Sequence, residues 1–164
     1  HKPYAVCLVP EKRQERTTEG GLDVAGGHNS LAPYVRRLTG GGIRVSAFVE
    51  ADLRQLDAAK SIGAPVVELH AGAYCEAPPG PERELQLERL QIAAAHAAKI
   101  GLECHAGHGL GYDSVGPIAA IPTLAELNIG HFLVGEAIFI GFADSIRRMR
   151  AVMDAARDAD LERA

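Results

Sequence analysis

Short apolar runs recur along the chain, separated by longer stretches of mixed polarity. Each run is mostly apolar, with Val, Ile and Cys prominent, as expected of strands that are covered on both faces. We predict five such strands, at residues 4–9, 43–50, 65–70, 102–106 and about 126–129.

Helical patterns lie between these strands, with apolar residues every three or four positions along one stripe. We predict helices at residues 31–38, 51–62 and about 82–100, and a last helix from about Ala143. Glycine follows each of the first three, which is a typical stop signal. The apolar segment 132–140 can begin as a helical turn.

Strict alternation of strand and helix predicts an α/β fold with parallel strands joined by right-handed crossovers. No shift in composition marks a second domain, so we assign one domain to residues 1–164. Two architectures stay open: a complete five-stranded doubly wound sheet, or the last five units of an eight-stranded barrel. A whole barrel takes about 250 residues. The chain begins at His1 without an initiator Met and a strand follows almost at once, which favours the second.

Composition narrows the class of protein further. The 164 residues are 47% hydrophobic and 23% charged with a net charge of −4, so nothing indicates binding to nucleic acid. No apolar stretch approaches about 18 residues, which argues against a transmembrane helix. Cys7, Cys75 and Cys104 are widely spaced, and we interpret them as reduced thiols in a cytoplasmic protein.

Two Gly-His motifs follow predicted strands, where the ligands of parallel α/β proteins bind. His108 stands in Gly-His-Gly, and it is either a general acid or base or an ordinary loop histidine. Gly130 and His131 stand where the last strand gives way to segment 132–140. The free N–H groups of a helix start bind phosphate, so we expect phosphate there.

Glu68 places a carboxylate in the middle of a strand that is otherwise apolar. Burying it without a partner is costly, so it either faces a polar barrel mouth or forms an ion pair. His70 is two residues further along and shares its face of the strand. A metal site built from the four histidines near the strand ends is not favoured, because no further ligand completes the set. Those histidines are His70, His105, His108 and His131.

The longest polar loop spans residues 10–23 and follows the first strand directly. It is either a solvated charged loop or a mobile lid on the same rim as the Gly-His motifs. If it is a lid, Gly20 and Gly21 would form its hinge, and the hydroxyls of Thr17 and Thr18 would contact the ligand.

Four segments together resemble the pyridoxine 5′-phosphate synthase family, in the order and spacing of that family. They are Cys-Leu-Val-Pro-Glu-Lys-Arg at 7–13, Thr-Thr-Glu-Gly-Gly-Leu-Asp-Val at 17–24, Ala-Gly-His-Gly-Leu at 106–110 and Glu-Leu-Asn-Ile-Gly-His at 126–131. The resemblance runs from residue 1 to about residue 157.

The resemblance implies a (β/α)8 TIM barrel, of which this chain supplies about strands 4–8 with their helices. It also implies condensation of 1-deoxy-D-xylulose 5-phosphate with 3-amino-2-oxopropyl phosphate to pyridoxine 5′-phosphate, phosphate and water, in a cytoplasmic homo-oligomer without cofactor or metal.

The resemblance also implies a role for each site residue. His108 matches the proton donor of the family, and Glu68 matches the strand carboxylate that stabilises an iminium-like cation. The residues that match substrate-phosphate contacts are Thr17, Gly109, Gly130 and His131. The family's first three strands, with further acid–base residues, have no counterpart here. The alternative is therefore a catalytically incomplete fragment that binds phosphorylated ligands without turnover.

Overall fold

Five parallel strands lie side by side in chain order in the computed structural model, which describes residues 2–10 and 20–161. The strands are β1 (Ala5–Leu8), β2 (Arg44–Val49), β3 (Val66–His70), β4 (Glu103–Gly107) and β5 (Leu124–Asn128). A doubly wound sheet reverses its strand order at a switch point, and the order β1-β2-β3-β4-β5 shows no such reversal. The strand order therefore excludes a doubly wound sheet and is consistent with part of a (β/α)8 barrel.

Seven helices connect or follow these strands within the described residues. They are α1 (Val24–Gly40), α2 (Leu53–Ser61), α3 (Gly72–Glu76), α4 (Pro81–Lys99), α5 (Val115–Ala119), α6 (His131–Ile140) and α7 (Phe142–Leu161). The sequence pattern predicts α2, α4 and α7 to within a few residues. No helix in this part of the chain combines the length and apolar character that crossing a membrane would need.

The first helix begins seven residues earlier than its predicted start at residue 31, which is therefore wrong. Asp23 caps the earlier start, since its carboxylate accepts a hydrogen bond of 2.9 Å from the Gly26 N–H. Val24 is fully buried, and its packing outweighs the poor helix propensity of Gly26 and Gly27.

The two faces of the sheet differ in chemistry. One face supplies Val45, Ala47, Val67 and Leu69 to the apolar core beneath the helices. The other face, which we term the open face, carries the alternate residues of the strands. These include Ser46, Phe48, Glu68, His70, His105 and Asn128. Consecutive right-handed crossovers place their helices on one side of a sheet, so the open face is free to line a barrel interior.

Candidate active site

The carboxyl ends of the strands surround a cavity of about 490 Å³. Five of the six predicted site residues line it: Glu68, His108, Gly109, Gly130 and His131. The sixth, Thr17, lies outside the described residues, as does most of the loop interpreted as a lid. The structure thus brings together side chains from β3, the end of β4 and the start of α6.

His108 follows β4 directly and has a left-handed backbone conformation, with φ of +71°. A residue with a Cβ pays about 1–2 kcal/mol for this conformation, which is therefore held by its surroundings. Leu110 is buried two residues later, and the Gly111 N–H donates to Ser114 Oγ over 2.9 Å. The strained turn directs the imidazole into the cavity.

Burial is the main cause that lowers the pKa of His108, and the positive charges that His70 and His131 can carry lower it further. Glu76 acts in the opposite direction. A lowered pKa leaves the imidazole mostly neutral near neutral pH, so His108 must first take up the proton that it would then donate as a general acid.

The glycines on either side of His108 admit close contacts that a larger residue would block. A Cβ on Gly107 would overlap the Glu68 carboxylate. Gly109 has φ of +84°, and a Cβ there would lie 3.0 Å from the Cys75 Cβ. Steric limits of the fold therefore require glycine at positions 107 and 109, independently of any contact with a ligand.

Glu68 presents its carboxylate to the cavity from the middle of β3. The Cys7 thiol donates to Glu68 Oε2 at a sulfur–oxygen distance of 3.7 Å. Burial raises the pKa of Glu68, while hydrogen bonds from Cys7 and Asn128 lower it in part. Burial and the nearby carboxylate raise the pKa of Cys7 to about 11, so this thiol stays protonated at neutral pH. A carboxylate so placed gains stability from a cation in the cavity.

The last strand leads into α6 at the cavity wall. Gly130 occupies the N-cap position and His131 is the first residue of the helix. The Gly130 carbonyl accepts from the Val134 N–H at 3.0 Å, so the preceding N–H groups of the first turn have no partner within the helix. Segment 132–140 is thus a full helix, where the sequence pattern indicated a first turn.

The four histidines of the disfavoured metal site lie in different surroundings. The His105 imidazole is 6% exposed, with Nε2 at 2.7 Å from Glu103 Oε1. His70 bonds Glu50 through Nδ1 at 2.8 Å, and its ring centre lies 5.0 Å from that of His108. In the described part of the chain, no group of three or more His, Cys, Asp or Glu side chains is arranged to hold a metal ion.

Sequence reasoning assigned no site role to seven residues that line the cavity: Cys7, Val9, Phe48, Leu110, Asn128, Ile129 and Phe132. The alternation of strand residues offered a signal for Asn128, which shares a face with Glu126 at a strand end. Cys7 and Phe48 reach the cavity because β1 and β2 are in register with β3, which places Phe48 beside Glu68. That register follows from the packing of the sheet.

Comparison of the fold with solved structures finds the BexX/CysO complex of Amycolatopsis orientalis, with a TM-score of 0.56. The match covers 82% of this chain and 51% of that one at 16% identity, which shows likeness of fold alone.

Curated proteins named pyridoxine 5′-phosphate synthase are similar over almost the whole chain. That of Rhodospirillum rubrum is 66% identical over 156 residues, and that of Zymomonas mobilis is 58% identical over 160 residues. The matches cover 95% and 98% of this chain but 63% and 62% of those proteins. The chain therefore spans a little under two thirds of the length of these relatives.

A family model gives the most direct assignment, because it matches residues 1–155 of the 164. That stretch contains every residue that lines the cavity. The chain belongs to the family described as pyridoxal phosphate biosynthesis protein PdxJ.

Proposed function

We propose that the full-length protein is a cytoplasmic pyridoxine 5′-phosphate synthase and that this chain supplies one side of its active site. The reaction joins 1-deoxy-D-xylulose 5-phosphate to 3-amino-2-oxopropyl phosphate and releases phosphate and water. The observation that carries the proposal is the meeting of Glu68, His108, Gly109, Gly130 and His131 at one cavity.

His108 is the proton donor in this proposal. Closing the pyridine ring from an amine and two carbonyl carbons requires water and phosphate to leave, and each leaving oxygen needs a proton. The position of His108 in the cavity wall suits the donation of such a proton. Because its pKa is lowered, His108 gains the proton in one step of the condensation and gives it up in the next. We assign no metal or cofactor to these steps.

The start of α6 and Gly109 supply the proposed contacts with the phosphate of the amino ketone. Free N–H groups and the positive end of the helix dipole favour a dianion at Gly130 and His131. Apart from its chain neighbours, no atom of the described residues lies within 4 Å of the site of a Cβ on Gly130, so a phosphate oxygen can approach its backbone. Thr17 is the proposed contact with the phosphate of the deoxyxylulose substrate.

Glu68 stabilises positive charge that develops when the amine condenses with a ketone. Among the described residues, its hydrogen-bond partners are the Cys7 thiol and the Asn128 amide, and a charge on His105 is a smaller influence on its pKa than either bond. The positive charge of an iminium-like nitrogen would therefore offset the cost of burying the Glu68 carboxylate.

The architecture in this proposal is a (β/α)8 barrel, with the chain contributing strands four to eight. Support comes from the consecutive parallel order of the strands and from the polar open face that carries Glu68, His70 and His105. We also propose a homo-oligomer, because α6 exposes large apolar side chains that a second copy would cover, including Phe139, which is 84% exposed.

Replacement of His108 by Asn in the full-length enzyme tests the proposed function. We expect turnover to fall by a factor of about 100 or more, because a positioned acid contributes about 10²–10⁴ in rate. The measurement is formation of pyridoxine 5′-phosphate from the two substrates. His96→Asn is the matched control, because His96 lies on the surface of α4 and outside the cavity.

Two outcomes would contradict the proposal in different ways. Absence of product from the unmodified full-length enzyme would remove the assigned reaction. Near-normal product formation by His108→Asn would retain the reaction and remove the role of His108. Binding of the substrates by this chain without turnover would support the interpretation that it holds only one side of the site.

A further inference from the structure

Three rings pack against one another beside the cavity. The ring centre of His70 lies 5.2 Å from that of Phe48 and 5.0 Å from that of His108. Phe48 and His108 are themselves 6.2 Å apart and meet edge to face. We term these residues the ring cluster. Only His108 among them has a role in the proposed reaction.

Glu50 holds one member of the ring cluster from the carboxyl end of β2. Its Oε1 lies 2.8 Å from His70 Nδ1 and accepts a second hydrogen bond of 2.8 Å from the Gly21 N–H. The hydrogen bond from His70 is the main cause that lowers the pKa of Glu50, so the carboxylate is ionised at neutral pH. Because an ionised carboxylate only accepts hydrogen bonds, Nδ1 of His70 must carry the hydrogen.

The surroundings of His70 confine its ring. The side chain is 10% exposed, and a Cβ on Gly72 would lie 2.5 Å from His70 Nε2. Glycine at position 72 therefore leaves the space that the imidazole fills. With Nδ1 fixed by Glu50 and Nε2 lying over Gly72, the ring offers a defined surface to His108.

We propose that Glu50 and His70 are positioning residues for His108: Glu50 fixes the orientation of the His70 ring, and that ring holds the His108 imidazole in place for proton transfer. This inference rests on the proposed function, in which His108 donates the proton.

The position of His108 needs such support, because its left-handed backbone is strained and its side chain projects from a turn. A proton donor displaced by about 1 Å can lose a factor of about 100 in rate. The ring cluster restrains the imidazole from one side, where β2 and β3 supply rigid strand positions for Phe48 and His70.

Charge acts together with position at this site. Among the described residues, the titratable groups that face His108 are His70 on β3, Glu76 on α3 and His131 on α6, and a charge on His70 would disfavour a charge on His108. In the part of the chain that the structure describes, Arg89 on α4 is a further charged group beside Glu50. Replacing His70 by an uncharged ring should therefore raise the pKa of His108 while preserving most of the packing.

The test compares His70→Phe, Glu50→Gln and Glu50→Asp in the full-length enzyme. Asp57→Asn is the matched control, since Asp57 bonds surface His96 at 2.7 Å in a pair of the same type away from the cavity. The measurements are kcat, KM for both substrates and the pH profile of kcat/KM. Unmodified enzyme and His108→Asn are assayed alongside, because they test the proposed function separately.

We expect His70→Phe and Glu50→Gln to lower kcat about tenfold with little change in KM, as loss of an orienting partner does. Glu50→Asp should retain more activity than Glu50→Gln, because it keeps the charge. The loss of kcat/KM at high pH should move to higher pH in His70→Phe, since that loss follows deprotonation of His108. Asp57→Asn should match the unmodified enzyme.

The inference is overturned if the positioning variants keep the kcat and pH profile of the unmodified enzyme while His108→Asn loses activity. It is also overturned if only KM changes, or if Asp57→Asn shows the same loss. Should His70→Phe fail to fold by circular dichroism, the comparison of Glu50→Gln with Glu50→Asp decides. Failure of the unmodified enzyme to form product would instead refute the proposed function.

Discussion

At the scale of single residues, the buried charge of Glu68 lowers the stability of the folded chain. Its pKa is raised in the folded chain, mainly by burial, so above that pKa the folded state holds a charge that the unfolded state accommodates better. The cost is complete above the pKa of the folded state and disappears below the pKa of the unfolded chain, where both states are protonated.

We therefore predict that Glu68→Gln raises the midpoint of thermal unfolding at neutral pH and lowers turnover. The gain in midpoint should shrink as the pH falls toward about 4, where Glu68 is protonated in both states. The measurement is differential scanning calorimetry of the full-length enzyme at several pH values.

Glu103→Gln is the control for that prediction and should have the opposite sign. Hydrogen bonds from Arg44 and His105 lower the pKa of Glu103, so its charge stabilises the fold at neutral pH and this contribution is lost as the pH falls. A lower midpoint for Glu68→Gln at neutral pH would show that its contacts outweigh the burial of its charge.

Most of the proposed site residues were predictable because each stands at a point that the sequence alone marks. His108, Gly130 and His131 follow strand ends, and Glu68 interrupts an apolar strand. Glu50 was not predictable, since its bond to His70 joins residues 20 positions apart through the register of two strands. Sequence periodicity gives the face of each strand but not which residues of neighbouring strands become opposite one another.

At the scale of elements, the turn between β4 and α5 depends on a glycine that the fold requires. Gly109 has φ of +84°, and a Cβ there would press on Cys75 in α3 at 3.0 Å. We predict that Gly109→Ala lowers the free energy of unfolding by about 1–2 kcal/mol from backbone strain alone. It should also lower kcat, because the strain is relieved by moving His108.

Gly116→Ala is the matched control for the turn. Gly116 lies in α5, and apart from its own helix no atom of the described residues lies within 4 Å of the site of its Cβ, so the substitution should be neutral or slightly stabilising. Denaturant unfolding of the full-length enzyme measures both variants. Equal stability of the two would mean that the turn adapts without strain.

The elements that sequence patterns missed are those that tertiary packing supports. The helices α3 and α5 have five residues each, too short for a periodic signal, yet Tyr74 and Ile118 in them are buried. Helix α6 is apolar except for His131 and Glu136, so it has no polar stripe to mark its period. Long amphipathic helices such as α7 carry that stripe and were predictable.

At the scale of the whole molecule, the sheet ends in two strands that lack a neighbour within the described residues. Strand β1 pairs only with β2, and β5 pairs only with β4. A cavity of about 430 Å³ also lies between β5 and α7, lined by Leu127, Met149 and Met153 among others. Alternation of elements was enough to predict this parallel order, but it does not give the number of strands that close a barrel.

Unpaired strand edges and an uncovered open face favour association with other chains. We therefore predict that this 164-residue chain, expressed alone, forms oligomers of mixed size and binds the dye ANS strongly. Co-expression with the remaining third of a full-length family member should give a species of uniform size with little ANS binding, because added strands would pair with both edges.

Size-exclusion chromatography with light scattering measures the size of the species, and fluorescence measures the binding of ANS. Full-length enzyme is the control. If the chain alone is monomeric and does not bind ANS, its five strands and their helices must cover their apolar surfaces without further strands. The barrel proposal would then lose its main physical support.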